Sequence, residues 1–473
     1  MKKIFTLAYL AFTLGLTTTA LPTPTSLDTH RSANVQTTTT VADEVSPTFI
    51  HETTASNGLT LKSTHKYASV SDADVVEFGV FYNDEDVTSQ AKVYYLNLAN
   101  FAATIVPDGK HIFEEPGSYV FWAEYGELSS KNKTLTIVAY HDVPSLPADA
   151  APDSLDFERR VLLVQNTGTN CGYCPNAITA IHNFKDKNPN ADKLELLAAH
   201  AYNSSDPLYS SAAVTIFRMT GFNSFPSIMF NFDKNYALAG TSASYFESYI
   251  NNTTETLLQK KSSTGIALTT KYDDKTGTIS VKAGVKTDSA GIYKITIALV
   301  QDNVYAYQGG ADPSDERFHI HKAGVKAIYP SSGAGEKING NVSSVKGKVY
   351  EYCSEFSSDL LSPGVGGGYT LDVLRDARII AYVTNESGIV DNVASCNINA
   401  QQPFAYTHAE ATSIHAVSTN NAAVRQTIIY DLTGKPVCTL KGGDYKSTPL
   451  PRGIYIAHLR TDKGARTVKF VKQ

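Results

Sequence analysis

Cys171-Gly172-Tyr173-Cys174 is the segment whose residue types and spacing point most directly to covalent chemistry. Two cysteines three positions apart can close a short disulfide. At the start of a helix, unpaired backbone N–H groups and a positive partial charge stabilise the thiolate of the first one. In that geometry Cys171 is the exposed nucleophile and Cys174 resolves the mixed disulfide. Three readings follow from the residues: thiol–disulfide exchange, a static disulfide, and a zinc half-site. Zinc needs about four ligands, and no second closely spaced Cys pair accompanies this one.

The flanking segments say what must hold the motif. Val161 to Val164 is a continuous apolar run, the pattern of a buried parallel strand. After the motif, Ala177, Ile178, Ala180, Ile181 and Phe184 recur at helical spacing. Leu194 to His200 gives a second apolar strand. Gly221 to Phe232 places Pro226 ahead of an alternating strand, and Tyr245 to Ile250 begins a closing helix. Strand, two-Cys motif, helix and a Pro-initiated strand resemble the thioredoxin arrangement, in which Pro226 takes the cis-proline role and joins Cys171 and Cys174 as a candidate catalytic residue.

Residues of about 155–400 resemble the Omp-twenty-eight related outer membrane proteins. The Leu162-Leu163-Val164-Gln165-Asn166-Thr167-Gly168-Thr169-Asn170-Cys171-Gly172-Tyr173-Cys174-Pro175 segment carries most of that likeness. The resemblance implies a thioredoxin-like fold with a further β region and an outer-membrane location. The Gly172-Tyr173 dipeptide is similar to that of exported disulfide isomerases. Asn170 stands where most thioredoxins have Trp, and Gln165 where they keep a buried carboxylate. An amide cannot relay a proton, so these substitutions weigh against reductase turnover. Phe225, ahead of Pro226, narrows the substrate groove.

Other candidates are weaker. His200 ends a predicted strand, the edge where open α/β sheets place function, yet a satisfied structural histidine is the expectation. His182 reads as surface. Phe318-His319-Ile320-His321 puts two histidines on one strand face; with no carboxylate-rich partner motif beside them, a solvated face is expected. Gly364 to Gly368 lacks the Lys-Ser/Thr and strand-to-helix frame of a phosphate cradle. Cys353 and Cys396 are a candidate structural disulfide, which the chain-entropy model values at about 4 kcal/mol. Cys438 is left odd.

The chain has 473 residues and a formal net charge of -5, enough for about three or four domains. Hydrophobic residues at 42% and charged residues at 18% exclude a disordered chain, and the mild acidity argues against a nucleic-acid partner. Lys2 and Lys3, the apolar stretch Ile4 to Leu16 and Thr18-Thr19-Ala20 read as a signal peptide over 1–20. No later run of 18 apolar residues predicts a transmembrane helix in the mature chain. A Thr/Ser-rich spacer follows over 21–44, then an immunoglobulin-like β-sandwich over 45–142 and a Pro-rich linker over 143–155. The thioredoxin-like α/β domain spans 156–262 and a second β-sandwich 263–402. Asp431-Leu432-Thr433-Gly434-Lys435, Leu450 to Tyr455 and Lys469-Phe470-Val471-Lys472 closely resemble the C-terminal sorting domain of type IX secretion. That resemblance implies a small C-terminal β-sandwich over 410–473, the secretion machinery as a partner, and a secreted or cell-surface product. The expectation is a multidomain exported protein without cofactor or metal. It exchanges thiols with protein substrates through Cys171 and Cys174. The alternative is a noncatalytic surface binding protein or adhesin in which the pair is only structural.

Overall fold

The computed structural model describes residues 47–99, 101–362 and 373–407, and from the C-terminal segment 424–431, 435–441, 448, 450–451, 453–461 and 464–472. The expected signal peptide, the spacer and the Gly364 to Gly368 loop lie outside the described residues. The chain is mostly β-sheet, in several sheets with few helices.

Two sheets face each other at the N-terminal end. One runs His51–Thr54, Leu59–Ser63, Val76–Tyr82, Glu85–Asp86; the other runs Tyr67–Ser69, Leu135–Tyr140, Gly117–Tyr125, Lys92–Asn97, Ala103–Ile105. Along Gly117–Tyr125, Tyr119, Phe121 and Ala123 point into a core with Leu59, Leu61, Phe78 and Ile137, as strand alternation dictates. Residues 143–155 do not hang free between modules. Leu146, Ala151 and Leu155 pack with Phe157, Phe404 and Tyr406, and Asp149 takes the buried Lys286 ammonium at 3.1 Å.

The central region is built from β1 (Val161–Thr167), α1 (Cys174–Lys187), β2 (Leu194–His200), α2 (Ser211–Thr220), β3 (Ser227–Phe230), β4 (Ala237–Ala239), α3 (Ala243–Leu258), β5 (Thr264–Asp273), β6 (Thr278–Thr287), β7 (Lys294–Gln301), β8 (Val304–Tyr305), β9 (Ile320–His321), β10 (Gly324–Tyr329), β11 (Glu336–Lys337), β12 (Val349–Ser357), β13 (Ala377–Thr384), β14 (Val390–Asn397) and β15 (Gln401–Gln402). One nine-stranded sheet has the order β4-β3-β1-β2-β10-β7-β13-β14, with β11 also on β7. It therefore crosses the boundary that composition places at residue 262: β2 bonds to β10 in parallel, Ala198 opposite Gly324. β1 and β2 are parallel, while β3 joins β1 antiparallel. Helix α2 packs on one face with Leu162, Val164 and Leu197, and α1 and α3 on the other with Val161, Leu163 and Leu196. A four-stranded sheet, β12-β6-β5-β15, closes over Ile295, Ile297, Leu299, Ile379 and Ala381.

The C-terminal segment forms β16 (Val424–Tyr430), β17 (Pro436–Lys441), β18 (Gly453–Thr461) and β19 (Gly464–Lys472), paired antiparallel in the order β17-β16-β18-β19. Among the described residues this is a single sheet over Ile429, Tyr455, Ala457 and Leu459, where a sandwich was expected. No helix of the described residues is long and apolar enough to cross a membrane.

Candidate functional site: a strapped disulfide

β1 delivers the Cys motif. All seven of its residues are buried, so its backbone is fixed up to Thr167. A tight turn then follows, with Cys171 N–H on Gly168 O at 3.1 Å and Cys174 N–H on Cys171 O at 3.2 Å. Helix α1 starts at Cys174, with Pro175 in its first turn, where a missing N–H costs nothing, and Lys185 and Lys187 at its negative end. Cys171 and Cys174 are bonded to each other, with 5.4 Å between their Cα atoms.

Cys171 is not the exposed nucleophile the motif predicts. It is 3% accessible and Cys174 is 0%, while Gly172 and Tyr173 between them face solvent. The cover comes from far along the chain. Between β7 and β10 the chain leaves the large sheet as a hairpin, β8 paired with β9, whose tip folds back on the motif. Gln308, fully buried, shares the two hydrogens of its Nε2 among the carbonyls of Cys171 at 3.1 Å and of Gly168 and Thr169 at 3.2 Å. Gly309 N–H reaches Thr169 O at 2.6 Å. Gly310 sits at φ +76°, and a Cβ there would collide with the Gly172 carbonyl, so this close approach requires glycine.

The strap is braced by the two histidines assigned to a solvated strand face. His319 caps a short 3-10 turn instead of lying in the strand, and both rings are buried. His319 Nδ1 accepts from Gln308 N–H at 3.0 Å, and His321 Nε2 donates to Ala306 O at 3.0 Å. Among the described residues no cluster of three His, Cys, Asp or Glu could hold a metal.

Below the motif, His200 stands opposite Thr167 and places Nδ1 2.8 Å from Asp206 Oδ2. Asp206 also accepts from Thr169 N–H at 2.7 Å and Leu208 N–H at 2.9 Å. Burial alone would raise its pKa. The His200 hydrogen bond and charge, with the two backbone donors, outweigh that and hold it at about 2. Asp206 thus ties the turn before Cys171 to the end of β2. The His200 and His321 rings meet edge to face at 5.1 Å. Burial, and then the neighbouring His200, push His321 down to about 3.

Pro226 is buried and its bond to Phe225 is cis. It precedes Ser227, which pairs with Asn166 one residue before the end of β1. Phe225 stacks on Phe217 at 4.6 Å and meets Tyr202 edge-on at 5.4 Å. Gln165 is buried, and its Nε2 has no hydrogen-bond partner. The second candidate disulfide is not formed. Cys353 on β12 and Cys396 on β14 are both buried and free, on separate sheets. His182 is half-buried instead of lying open on the surface.

The family described as Outer membrane protein Omp28 matches residues 218–402. This points to a protein of the outer membrane or cell surface. No curated protein matches the chain. Among solved structures, HBP35 of Porphyromonas gingivalis is similar at 15% identity and a TM-score of 0.40, over 68% of this chain and 100% of that one. Spo0M, a sporulation control protein from Bacillus subtilis, is similar at 11% identity and a TM-score of 0.20, over 44% of this chain and 91% of that one.

Sequence reasoning missed Gln308 and Asp206, which do most to hold the motif. Gly309-Gly310 after Gln308 was the available signal, since paired glycines mark close backbone approach. Asp206 lies in a polar turn without periodicity and carried no signal.

Proposed function

We propose that the chain is an outer-membrane or cell-surface protein with a thioredoxin-like module whose Cys171–Cys174 disulfide staples a loop and does not turn over. The observation that carries this reading is the burial of Cys171, to whose turn the strap carrying Gln308 is hydrogen-bonded. A thiol–disulfide exchanger needs the first sulfur open to an incoming thiolate. Gln165 adds to it, because an amide in the place of a proton-relaying carboxylate leaves the resolving thiol without a base. The thioredoxin-like assignment is supported by parallel β1 and β2, antiparallel β3 following Pro226, and helices on both faces. The first pair of sheets fits an immunoglobulin-like spacer or binding module. Residues 410–473 act as a sorting domain for type IX secretion, a reading supported by the motifs they carry and by the four paired strands.

Thiol–disulfide exchange is the second reading, favoured by the Cys-Gly-Tyr-Cys spacing and by the cis bond before Pro226. Insulin reduction by the exported protein, measured beside Cys171→Ser, separates the two. Equal rates are expected; turnover that depends on Cys171 would overturn the structural reading. Mass spectrometry of the exported product tests the sorting domain, with loss of a C-terminal piece starting near residue 410 as the expected result.

A further inference from the structure

Beside α1, under the strap, lies a cavity of about 270 Å³. It is larger than the ~150 Å³ apolar cavities that take up benzene. Its lining is graded. Lys185, Asp186 and Lys322 are exposed and mark the rim. Ile178 and Ile181 of α1 face Leu196 of β2 and Ile320 of the strap, forming apolar walls. Gln165, Thr167, His200 and His321 are all more than nine-tenths buried and line the deep end, where β1 and β2 terminate.

That deep end holds polar groups with nothing to bond. Gln165 Nε2 and Thr167 Oγ1 have no partner. His200 commits Nδ1 to Asp206 and His321 commits Nε2 to Ala306 O, which leaves one nitrogen on each ring. A buried polar atom left unpaired costs about 1–3 kcal/mol, so two on one strand face are a feature that a ligand would relieve. The cations of the lining are already engaged, Arg378 by carboxylates and the two rim lysines by neutral oxygens. Arg378 lies between Glu195 at 2.9 Å and Asp302 at 2.8 Å; Lys185 donates to Ala191 O at 2.7 Å and to Leu194 O; Lys322 donates to Asn303.

We propose that this cavity binds an uncharged, ring-sized apolar molecule with a hydroxyl head, a phenol or alicyclic alcohol, ring between Ile181 and Leu196 and hydroxyl toward Gln165, Thr167 and His321. The head must both donate and accept. A hydroxyl gives its hydrogen to an imidazole nitrogen and takes one from the Gln165 amide. A carboxylate only accepts, so it cannot give a hydrogen to the imidazole nitrogen, and at the deep end its buried charge would lie away from the exposed rim lysines, with Arg378 already paired to Glu195 and Asp302. Burial keeps the His321 ring neutral, so its Nδ1 offers a lone pair. This assignment stands apart from the fate of the disulfide, since the ligand can bind whether or not Cys171 turns over.

The test is calorimetric titration of the full, oxidised chain with 2-naphthol, beside 2-naphthoate at pH 7. Saturable one-site binding of 2-naphthol is expected, with 2-naphthoate at least about tenfold weaker. Thr167→Val and Gln165→Leu keep the shape of the cavity and remove the head-group partners, so each should weaken 2-naphthol about tenfold while leaving the melting temperature unchanged or higher. Ala198→Phe fills the space and should abolish binding. Absence of saturable binding, equal binding of the two probes, or affinity unchanged in folded Ala198→Phe would each overturn the proposal. If Ala198→Phe does not fold, the Val and Leu variants decide: undiminished 2-naphthol affinity in both removes the site.

Discussion

Two pairs of cysteines lie buried in this chain, and only one is bonded. Cys171 and Cys174 are held by a local turn that sets their Cα atoms 5.4 Å apart. Cys353 and Cys396, separated by 43 positions in sequence, are both interior strand residues. One packs in the smaller sheet and the other in the large one. A turn of four residues brings its sulfurs together whatever the rest of the chain does. Strand residues meet only if register, sheet order and side-chain direction all agree. Burial is common to both pairs, so it decides reactivity and not pairing.

The largest expected effect concerns reactivity. Burial pushes the Cys353 thiol up to about 12 and raises Cys396 as well. The thiolate fraction of Cys353 should then fall roughly a thousandfold below that of a free thiol. Brief iodoacetamide treatment of the folded full-length chain, read by mass spectrometry, should therefore modify the partly accessible Cys438 while sparing Cys353 and Cys396. Rapid native labelling of Cys353 would break the contrast.

Next comes the strap. Gln308→Ala takes the side-chain donor from the carbonyls of Gly168, Thr169 and Cys171, leaving each with its backbone donor, and loosens the strap over the motif. Reduction of Cys171–Cys174 by dithiothreitol should accelerate about tenfold or more, and stability should fall by about 1 kcal/mol, the net worth of a hydrogen bond whose acceptors keep another donor. An unchanged reduction rate would mean that something other than this side chain shields the bond. Replacing both Cys171 and Cys174 by Ala should cost about 2 kcal/mol, the chain-entropy value for so short a loop, and reductant on the wild type should reproduce most of that loss. The stability of a Cys353→Ala/Cys396→Ala variant should respond to reductant as the wild type does, because it still carries the other pair.

A further effect is in acid. His321 sits at about 3 when folded, below an ordinary value of ~6.5, so the unfolded chain takes up a proton that the folded one refuses. Stability should then fall as pH drops from ~6.5 to ~3, by roughly 1 kcal/mol per pH unit. Asp206, held at about 2, adds a loss from ~4 downward, as protonation releases Thr169 and His200. Urea midpoints between pH 7 and 4 should show a flatter slope in His321→Asn than in the wild type.

What could be read along the chain was local. The apolar run from Val161 lies in a buried strand, Leu194 to His200 forms one throughout, and helical periodicity after Cys174 fills a helix whose apolar side packs on the sheet. Gly117 to Tyr125 is a strand with Tyr119, Phe121 and Ala123 inward. Each of these follows from side-chain period and turn chemistry, which act over a few residues. His319 and His321 show where that reasoning stops: at a spacing of two they looked solvated, yet both are buried against residues 11 to 15 positions earlier. Gln308 reaches a motif 137 residues upstream, and Gly324 extends β2's sheet across 126. Sequence alone determined that a disulfide-competent turn opens a helix. Only the tertiary structure decided that the sulfur is covered, that the second pair stays apart and that a cavity lies beside α1. Those outcomes depend on which distant surfaces pack together, and sequence patterns of period two or 3.6 hold no information about that.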